Sequence, residues 1–314
     1  MGKLAFVFPG QGSQFVGMGQ DFIEQFPESE AFFKNADERL DHGLADIILN
    51  GPEETLTRTE NTQPALLTVS SAVLNLLQKE GIKPDFVAGH SLGEYSALVA
   101  AGALSFEDAV YAVRMRGLFM EEAVPAGVGA MAAVLGLEVD ALEAVCQEAT
   151  SESSTVQLAN LNSPGQIVIS GTREGVERAS ELAKEKGAKR VIPLNVSGPF
   201  HSSLMKPAAE KLGSVLDELN IQTAVIPVIA NVTAQPVTDA KEIKERLIEQ
   251  LYSPVRWIEI VEYLLAQGVD TFIEVGPGKV LSGLIKKVDR KAKVYATNDV
   301  ESFTKLLTEL KEEV

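Results

Sequence analysis

The 314-residue chain carries 28 Lys and Arg against 44 Asp and Glu, and its net charge of −16 argues against nucleic acid or an anionic membrane as partner. Hydrophobic residues make up 45% and charged residues 23%, the balance of an ordinary globular chain long enough to bury a sizeable core. The single cysteine, Cys146, excludes an intrachain disulfide and reads as a small buried hydrophobe. No apolar run reaches transmembrane length and residues 1–6 lack signal-peptide architecture, so the expected location is cytoplasmic.

Residues 4–8 form a continuous apolar run, the pattern of a strand buried on both faces. The run breaks at Pro9-Gly10-Gln11-Gly12-Ser13-Gln14, whose glycines let backbone approach a ligand; a dinucleotide fingerprint would need glycine where Phe15 stands. Residues 17–50 read as helical, with Phe22, Ile23, Phe26, Phe32 and Phe33 available for packing. Thr62 is expected to cap a long helix, with Pro64 in its first turn and Gly81 at its end. Phe86-Val87-Ala88-Gly89-His90-Ser91-Leu92-Gly93-Glu94 then reads as strand, tight turn and helix start, with the G-x-S-x-G spacing of a nucleophile elbow. A β-carbon at either flanking glycine would strike the neighbouring strand or helix. Ser91 is thereby forced into a strained backbone conformation at a helix N-terminus whose free N–H groups can receive an oxyanion.

Ser105 starts a helix running to about residue 122 and closed by Pro125-Ala126-Gly127. Arg114 and Arg116 lie about 200° apart around it, so one can face inward while the other faces water; spacing does not say which. Between residues 128 and 197 the order is strand, helix, strand, strand, helix, strand, which is ferredoxin-like and reads as an inserted subdomain. Its strands are expected at 131–135, 156–161, 167–170 and 190–194, its helices at 138–149 and 174–186. Residues 1–127 and 198–314 would then form the larger core. Its later part is expected to hold helices at 204–219, 239–250, 255–267 and 280–288, and strands at 227–230, 271–275 and 293–296. Strands alternating with helices imply an α/β class with a mostly parallel sheet covered on both faces.

A serine nucleophile needs a base, and the chain has three histidines. His42 sits at a polar helix end and reads as solvated. His90 directly precedes the nucleophile, where the sharp turn points adjacent side chains apart. His201 lies in the turn Gly198-Pro199-Phe200-His201-Ser202 before a helix and is favoured by elimination. No acidic residue between 91 and 201 stands out as a third member, and three scattered histidines with one cysteine offer no metal-ligand spacing.

Six motifs in this order carry a resemblance over essentially the full length. They are Gly10-Gln11-Gly12-Ser13-Gln14, Gly89-His90-Ser91-Leu92-Gly93-Glu94, Arg116-Gly117, Asn160-x-Asn162-Ser163-Pro164-Gly165-Gln166, Gly198-Pro199-Phe200-His201-Ser202 and Glu274-Val275-Gly276-Pro277-Gly278. The chain resembles the malonyl-CoA:acyl carrier protein transacylase family, in its stand-alone form serving dissociated fatty acid synthesis. The resemblance implies a hydrolase-like α/β core with a ferredoxin-like insert. It also implies Ser91 as acyl-accepting nucleophile, His201 as general base and acid, and backbone N–H groups of Gln11 and Leu92 as oxyanion hole. Arg116 would pair with the malonyl carboxylate, and Gln250 would orient the histidine through its backbone carbonyl. Phe200, Asn160 and Asn162 would line the substrate pocket, though the asparagines by themselves read as turn formers. The implied substrates are malonyl-CoA and holo acyl carrier protein, with no cofactor beyond the coenzyme A thioester and no metal.

Two other readings are carried alongside: a serine esterase or thioesterase on the same core, and a non-catalytic acyl-CoA or carrier-protein binding module. Two basic stretches run against the overall charge, residues 184–190 with Lys189 and Arg190, and residues 286–293 with Lys286 and Lys287. They are candidates for docking an acidic carrier protein, or else solvated helix ends.

Overall fold

The computed structural model describes residues 2–125, 127–196 and 198–312; Met1, Ala126 of the expected helix close, Ser197 at the expected subdomain end and the last two residues lie outside them. β1 (Lys3–Phe8) leads to α1 (Gln20–Gln25), α2 (Glu30–Leu40), α3 (Leu44–Asn50), α4 (Glu53–Thr57) and α5 (Thr59–Lys79). The elbow follows as β2 (Phe86–Gly89) and α6 (Gly93–Ala100), then α7 (Phe106–Glu122). Next come β3 (Gly129–Leu135), α8 (Val139–Ala149), β4 (Val156–Ser163), β5 (Gln166–Thr172), α9 (Arg173–Glu185) and β6 (Arg190–Pro193). The remainder is α10 (Lys206–Glu218), β7 (Val228–Ile229), β8 (Pro236–Val237), α11 (Ala240–Gln250) and α12 (Trp257–Ala266). It closes with β9 (Val269–Glu274), α13 (Val280–Val288), β10 (Lys293–Ala296) and α14 (Val300–Glu312).

Six strands form one sheet in the order β10-β9-β1-β2-β7-β8, parallel except for the antiparallel β7–β8 edge. The apolar run of β1 is explained by its central place. Phe6 and Phe8 join the main core on one face, while Ala5 and Val7 join a second cluster with Trp257, Ile260 and Phe272 on the other. The four strands β4-β5-β3-β6 make a separate antiparallel sheet, the ferredoxin-like order. Its Ala132, Val134, Ile167 and Ile169 pack with Leu142, Val145 and Cys146 in a core of their own, whereas Met131 and Val168 belong to the main core. Backbone hydrogen bonds from Leu161 N–H to Val255 O (2.9 Å) and from Val255 N–H to Ala159 O (2.8 Å) stitch β4 to the segment leading into α12.

The expected helical stretch 17–50 is three helices, broken where Pro27 follows Phe26 and where Asp41 takes φ 47°. The long helix starts at Thr59, not at Thr62, and Pro64 lies inside it. Proline has no N–H to give the carbonyl four residues back, which is that of Glu60. That carbonyl is filled instead by Arg114 Nη1 at 2.8 Å, so the helix runs on without a broken turn. Arg114 is therefore half-buried and bonded, also to Asn61, rather than facing water. His42 is likewise half-buried, not solvated, and its Nε2 is enclosed. The expected strand at 227–230 shrinks to the two residues of β7.

Candidate active site

Ser91 stands between β2 and α6 with φ 54°. A β-carbon on Gly89 would lie 1.9 Å from the Gly93 backbone, and one on Gly93 would lie 2.2 Å from the Phe8 carbonyl. Both glycines are therefore the condition for bringing α6 down onto the sheet. The strained serine is clamped from both sides by amides. Its N–H donates to Asn231 Oδ1 at 2.8 Å, and its C=O accepts from Gln250 Nε2 at 3.0 Å.

His201 also has positive φ, 57°, and is 3% exposed. Ser202 Oγ donates to Pro199 O (2.6 Å) and Gln157 Nε2 to His201 O (3.3 Å), which fixes the turn that carries it. Its Nδ1 lies 2.8 Å from Gln250 O. A carbonyl only accepts, so Nδ1 bears the proton and Nε2 is left as a lone pair. Ser91 Oγ lies 2.8 Å from that Nε2. A backbone carbonyl thus does the orienting that a carboxylate does elsewhere, which is why no acidic third member shows in the sequence. Burial, and secondarily the Arg116 guanidinium, depress the imidazole to about 3, so it is neutral at physiological pH.

Arg116 is 1% exposed and reaches the same hydroxyl: Nη2 donates to Ser91 Oγ at 3.0 Å and to Gln250 Oε1 at 2.9 Å, while Nη1 donates to Gln63 Oε1 at 2.7 Å. Its Nε finds no acceptor among the described residues. All its acceptors are neutral, so a buried cation is held with bonding capacity to spare. Next to this cluster Glu94, 2% exposed, accepts from Gln250 Nε2 (2.7 Å) and Asn231 N–H (3.2 Å). Burial pushes its carboxyl up to about 7 against the pull of those bonds and of Arg116.

A cavity of about 130 Å³ opens onto Ser91, lined among others by Gln11, Leu92, Asn160, Phe200, Met131 and Val196. Neither Gln11 nor Leu92 gives its backbone N–H to a protein acceptor among the described residues. Phe200 is 6% exposed and supplies one apolar wall with Met120, Met131 and Leu194. Asn160 lines the cavity, but Asn162 does not: its Oδ1 is taken by His90 Nε2 at 2.8 Å, with the imidazole tilted against Trp257. His90 is thereby turned away from Ser91, as adjacent side chains at so sharp a turn must be. Among the described residues no three His, Cys, Asp or Glu gather as a metal site.

The two basic stretches meet at one end of the smaller sheet. Lys287 Nζ donates to Gln166 Oε1 (2.7 Å); Gln166 pairs with Leu135, and Leu135 with Arg190. Lys189 N–H donates to Leu135 O (2.8 Å). Lys286 is used otherwise, its Nζ binding Ala292 O (2.6 Å) and Arg290 O (3.4 Å) beyond its own helix end.

Gln63, Glu94, Asn231 and Gln157 hold the cluster together without having been singled out from the sequence. Asn231 had a legible signal: like Gln11 and Ser91 it follows the carboxyl end of a parallel strand, where such sheets gather their ligands. Gln63 and Gln157 had none, since amides on a helix and a strand carry no distinctive spacing.

The acyl transferase domain family matches residues 5–307. The malonyl CoA-acyl carrier protein transacylase of Bacillus subtilis is 63% identical over 313 residues, covering 100% of this chain and 99% of that protein. The one from Staphylococcus aureus is 50% identical over 301 residues, covering 96% and 97%. In structure the chain is similar to an acyl carrier protein S-malonyltransferase from Vibrio cholerae, with TM-score 0.95 at 50% identity over 97% of this chain and 99% of that one. It is equally similar, with TM-score 0.95 at 45% identity over 98% and 99%, to a malonyl-transacylase solved in complex with its type II PKS acyl-carrier protein. By sequence and by structure, the chain belongs to the malonyl CoA-acyl carrier protein transacylases of the acyl transferase family.

Proposed function

We propose that Ser91 carries the acyl group while the protein transfers malonyl from malonyl-CoA to the phosphopantetheine thiol of acyl carrier protein for fatty acid synthesis. One observation carries the assignment: a single hydroxyl lies 2.8 Å from the lone-pair nitrogen of His201 and 3.0 Å from the buried Arg116 guanidinium. The base and the cation that reads a carboxylate are thus brought to the same atom. His201 Nε2 takes the Ser91 proton as Oγ attacks the thioester carbonyl, and the oxyanion is received by the free N–H groups of Gln11 and Leu92. Collapse expels the coenzyme A thiolate, which takes the proton back from His201, and leaves a malonyl ester on Ser91. The carrier thiol then gives its proton to His201 and attacks that ester by the same route.

The low basicity of His201 fits this substrate. Arg116 is one cause of it, and a malonyl carboxylate paired with Arg116 offsets that charge. Malonyl therefore raises the base that activates the serine, whereas acetyl leaves the guanidinium unpaired. Lys287 with Lys189 and Arg190 is the proposed landing place for the acidic carrier protein. Along β3, Leu135 at that patch is about 13 Å from Met131 in the cavity wall at ~3.3 Å per residue, a span that an extended phosphopantetheine arm can bridge. We read residues 128–197 as a subdomain and 1–127 with 198–314 as the catalytic core, supported by the separate core of the smaller sheet. Among the described residues no helix is long and apolar enough to cross a membrane. A cytoplasmic location belongs to this reading, supported by the net charge and by the unpaired, buried Cys146.

The test is intact-protein mass after brief mixing with malonyl-CoA. A malonyl adduct that the carrier thiol discharges is expected, and Ser91→Ala should lose both adduct and transfer. Free malonate released without adduct would instead favour a thioesterase, and no chemistry a binding module. An adduct persisting in Ser91→Ala would show the nucleophile to be wrong.

A further inference from the structure

A buried guanidinium usually has a carboxylate in direct contact, because an unpaired cation away from water is costly. Arg116 has none. The carboxylate near it, Glu94, is held one amide away: Arg116 Nη2 donates to Gln250 Oε1 (2.9 Å) and Gln250 Nε2 donates to Glu94 Oε2 (2.7 Å). The amide cannot be reversed. Its oxygen would then face the Glu94 carboxylate and the Ser91 carbonyl, and its NH₂ would face the guanidinium. We propose that Glu94 is the resident counter-ion of Arg116, separated from it by Gln250 so that its charge offsets the buried cation without occupying the guanidinium face meant for the substrate carboxylate.

The separation has a chemical consequence. A direct Arg–Glu pair would have to be broken before malonyl could bind, whereas a bridged one leaves donor capacity on Nε and Nη1 uncommitted to any carboxylate among the described residues. The bridge nevertheless places one negative charge behind the pocket that the incoming carboxylate feels. Two hydrogen-bonded steps put Glu94 about 8 Å from the guanidinium and about 12 Å from a carboxylate on its far side, so at an effective dielectric of ~20 ionised Glu94 weakens carboxylate binding by about tenfold. Glu94 is thus a positioning residue that also sets how tightly the malonyl end is held. A strong hold would slow discharge of the acyl ester, and the resident charge limits it. This inference rests on the reading of Arg116 as the carboxylate receptor.

Glu94 changes charge near neutrality, since burial pushes it up to about 7. The groups that face it do not. Burial lowers His90 and holds His201 at about 3, it raises Tyr95, and Arg116 remains cationic. Of the charged residues of α5, Lys79 is paired with Glu28 and Glu60 lies within electrostatic reach of Arg114, and the residues of β2 and β7 beneath the helix are apolar. Glu94 is neutral below about pH 7 and anionic above it, so carboxylate affinity should fall as pH rises through that point.

The experiment measures free malonate as a competitive inhibitor of acyl transfer between pH 6.5 and 8.5. In the native protein the inhibition constant is expected to rise through about pH 7. Glu94→Gln, which keeps an acceptor for Gln250 but not the charge, should flatten the profile and lower the constant about tenfold at pH 8. Gln250→Glu, which puts a carboxylate directly against Arg116, should lose malonate inhibition and the preference for malonyl-CoA over acetyl-CoA. A flat native profile together with an unchanged constant in Glu94→Gln overturns the proposal and leaves Glu94 as a brace of the elbow. If Glu94→Gln does not fold, the native profile and Gln250→Glu decide. Arg116→Ala separates the two levels: malonate inhibition that survives there overturns the reading of Arg116 itself, while its loss beside an unmoved Glu94→Gln overturns only the counter-ion.

Discussion

At the scale of single residues, the site depends on one serine hydroxyl being shared by a neutral base and a buried cation. On the proposed reading, removal of the cation separates the substrates. In Arg116→Ala, malonyl transfer should fall about ten- to hundredfold more than acetyl transfer, the worth of a charge-assisted pair of about 1.5–3 kcal/mol. The ratio of kcat/KM for the two acyl-CoA substrates checks this, and equal losses would reduce Arg116 to a structural residue. Phe200 makes a second case. Its ring is packed into the cavity wall beside Met120, Met131 and Leu194, so on the proposed binding mode its bulk limits the room next to the malonyl α-carbon. Phe200→Ser should raise the methylmalonyl-to-malonyl ratio by an amount worth about 1–3 kcal/mol per methylene accommodated. A ratio that stays put would place the specificity elsewhere in the wall.

At the scale of elements, α5 shows how a local rule is overridden by a neighbour. Pro64 ought to end or open the helix, and the sequence pattern accordingly puts it in the first turn. The helix instead begins at Thr59, because Arg114 on α7 reaches across to the Glu60 carbonyl that Pro64 cannot serve. Gly117 lets the two helices approach closely enough, since a β-carbon there would lie 2.6 Å from Glu60 Cα. Arg114→Ala should therefore cost about 1–3 kcal/mol of stability, the penalty of a carbonyl left without its partner, while leaving the malonyl-to-acetyl ratio alone. Pro64→Ala restores an N–H to that carbonyl, so the Arg114→Ala penalty should shrink in its background. Additive effects in denaturant titrations of the double-mutant cycle would rule the compensation out. The two arginines two residues apart thus part company by task, one supporting a helix and the other facing the serine.

At the scale of the whole molecule, a chain of net charge −16 has to receive an acidic partner, so the encounter must be local. Lys287, Lys189 and Arg190 are the proposed source of the local positive field, while Lys286 is committed to backbone carbonyls beyond its helix and is a poor probe. Lys287→Glu with Arg190→Glu should raise the apparent KM for carrier protein and weaken its salt dependence, with the malonyl-CoA half-reaction spared. If both half-reactions fall together, the patch serves coenzyme A phosphates instead. How much of this was legible beforehand follows from the range of the forces involved. The elbow, the alternation of strands and helices, the ferredoxin-like order and the Ser105 cap depend on neighbours a few residues apart, and the sequence by itself determined them. Six short motifs in order were also enough for the family. The family resemblance, not spacing, pointed to Gln250 beside His201 and to Arg116; the bond from Arg114 to the Glu60 carbonyl, the capture of Asn162 by His90, and the Glu94–Gln250–Arg116 chain join residues far apart along the backbone. Only the tertiary structure decided these, because a hydrogen bond is specified by a distance and an angle that sequence spacing does not carry once the partners sit on different elements.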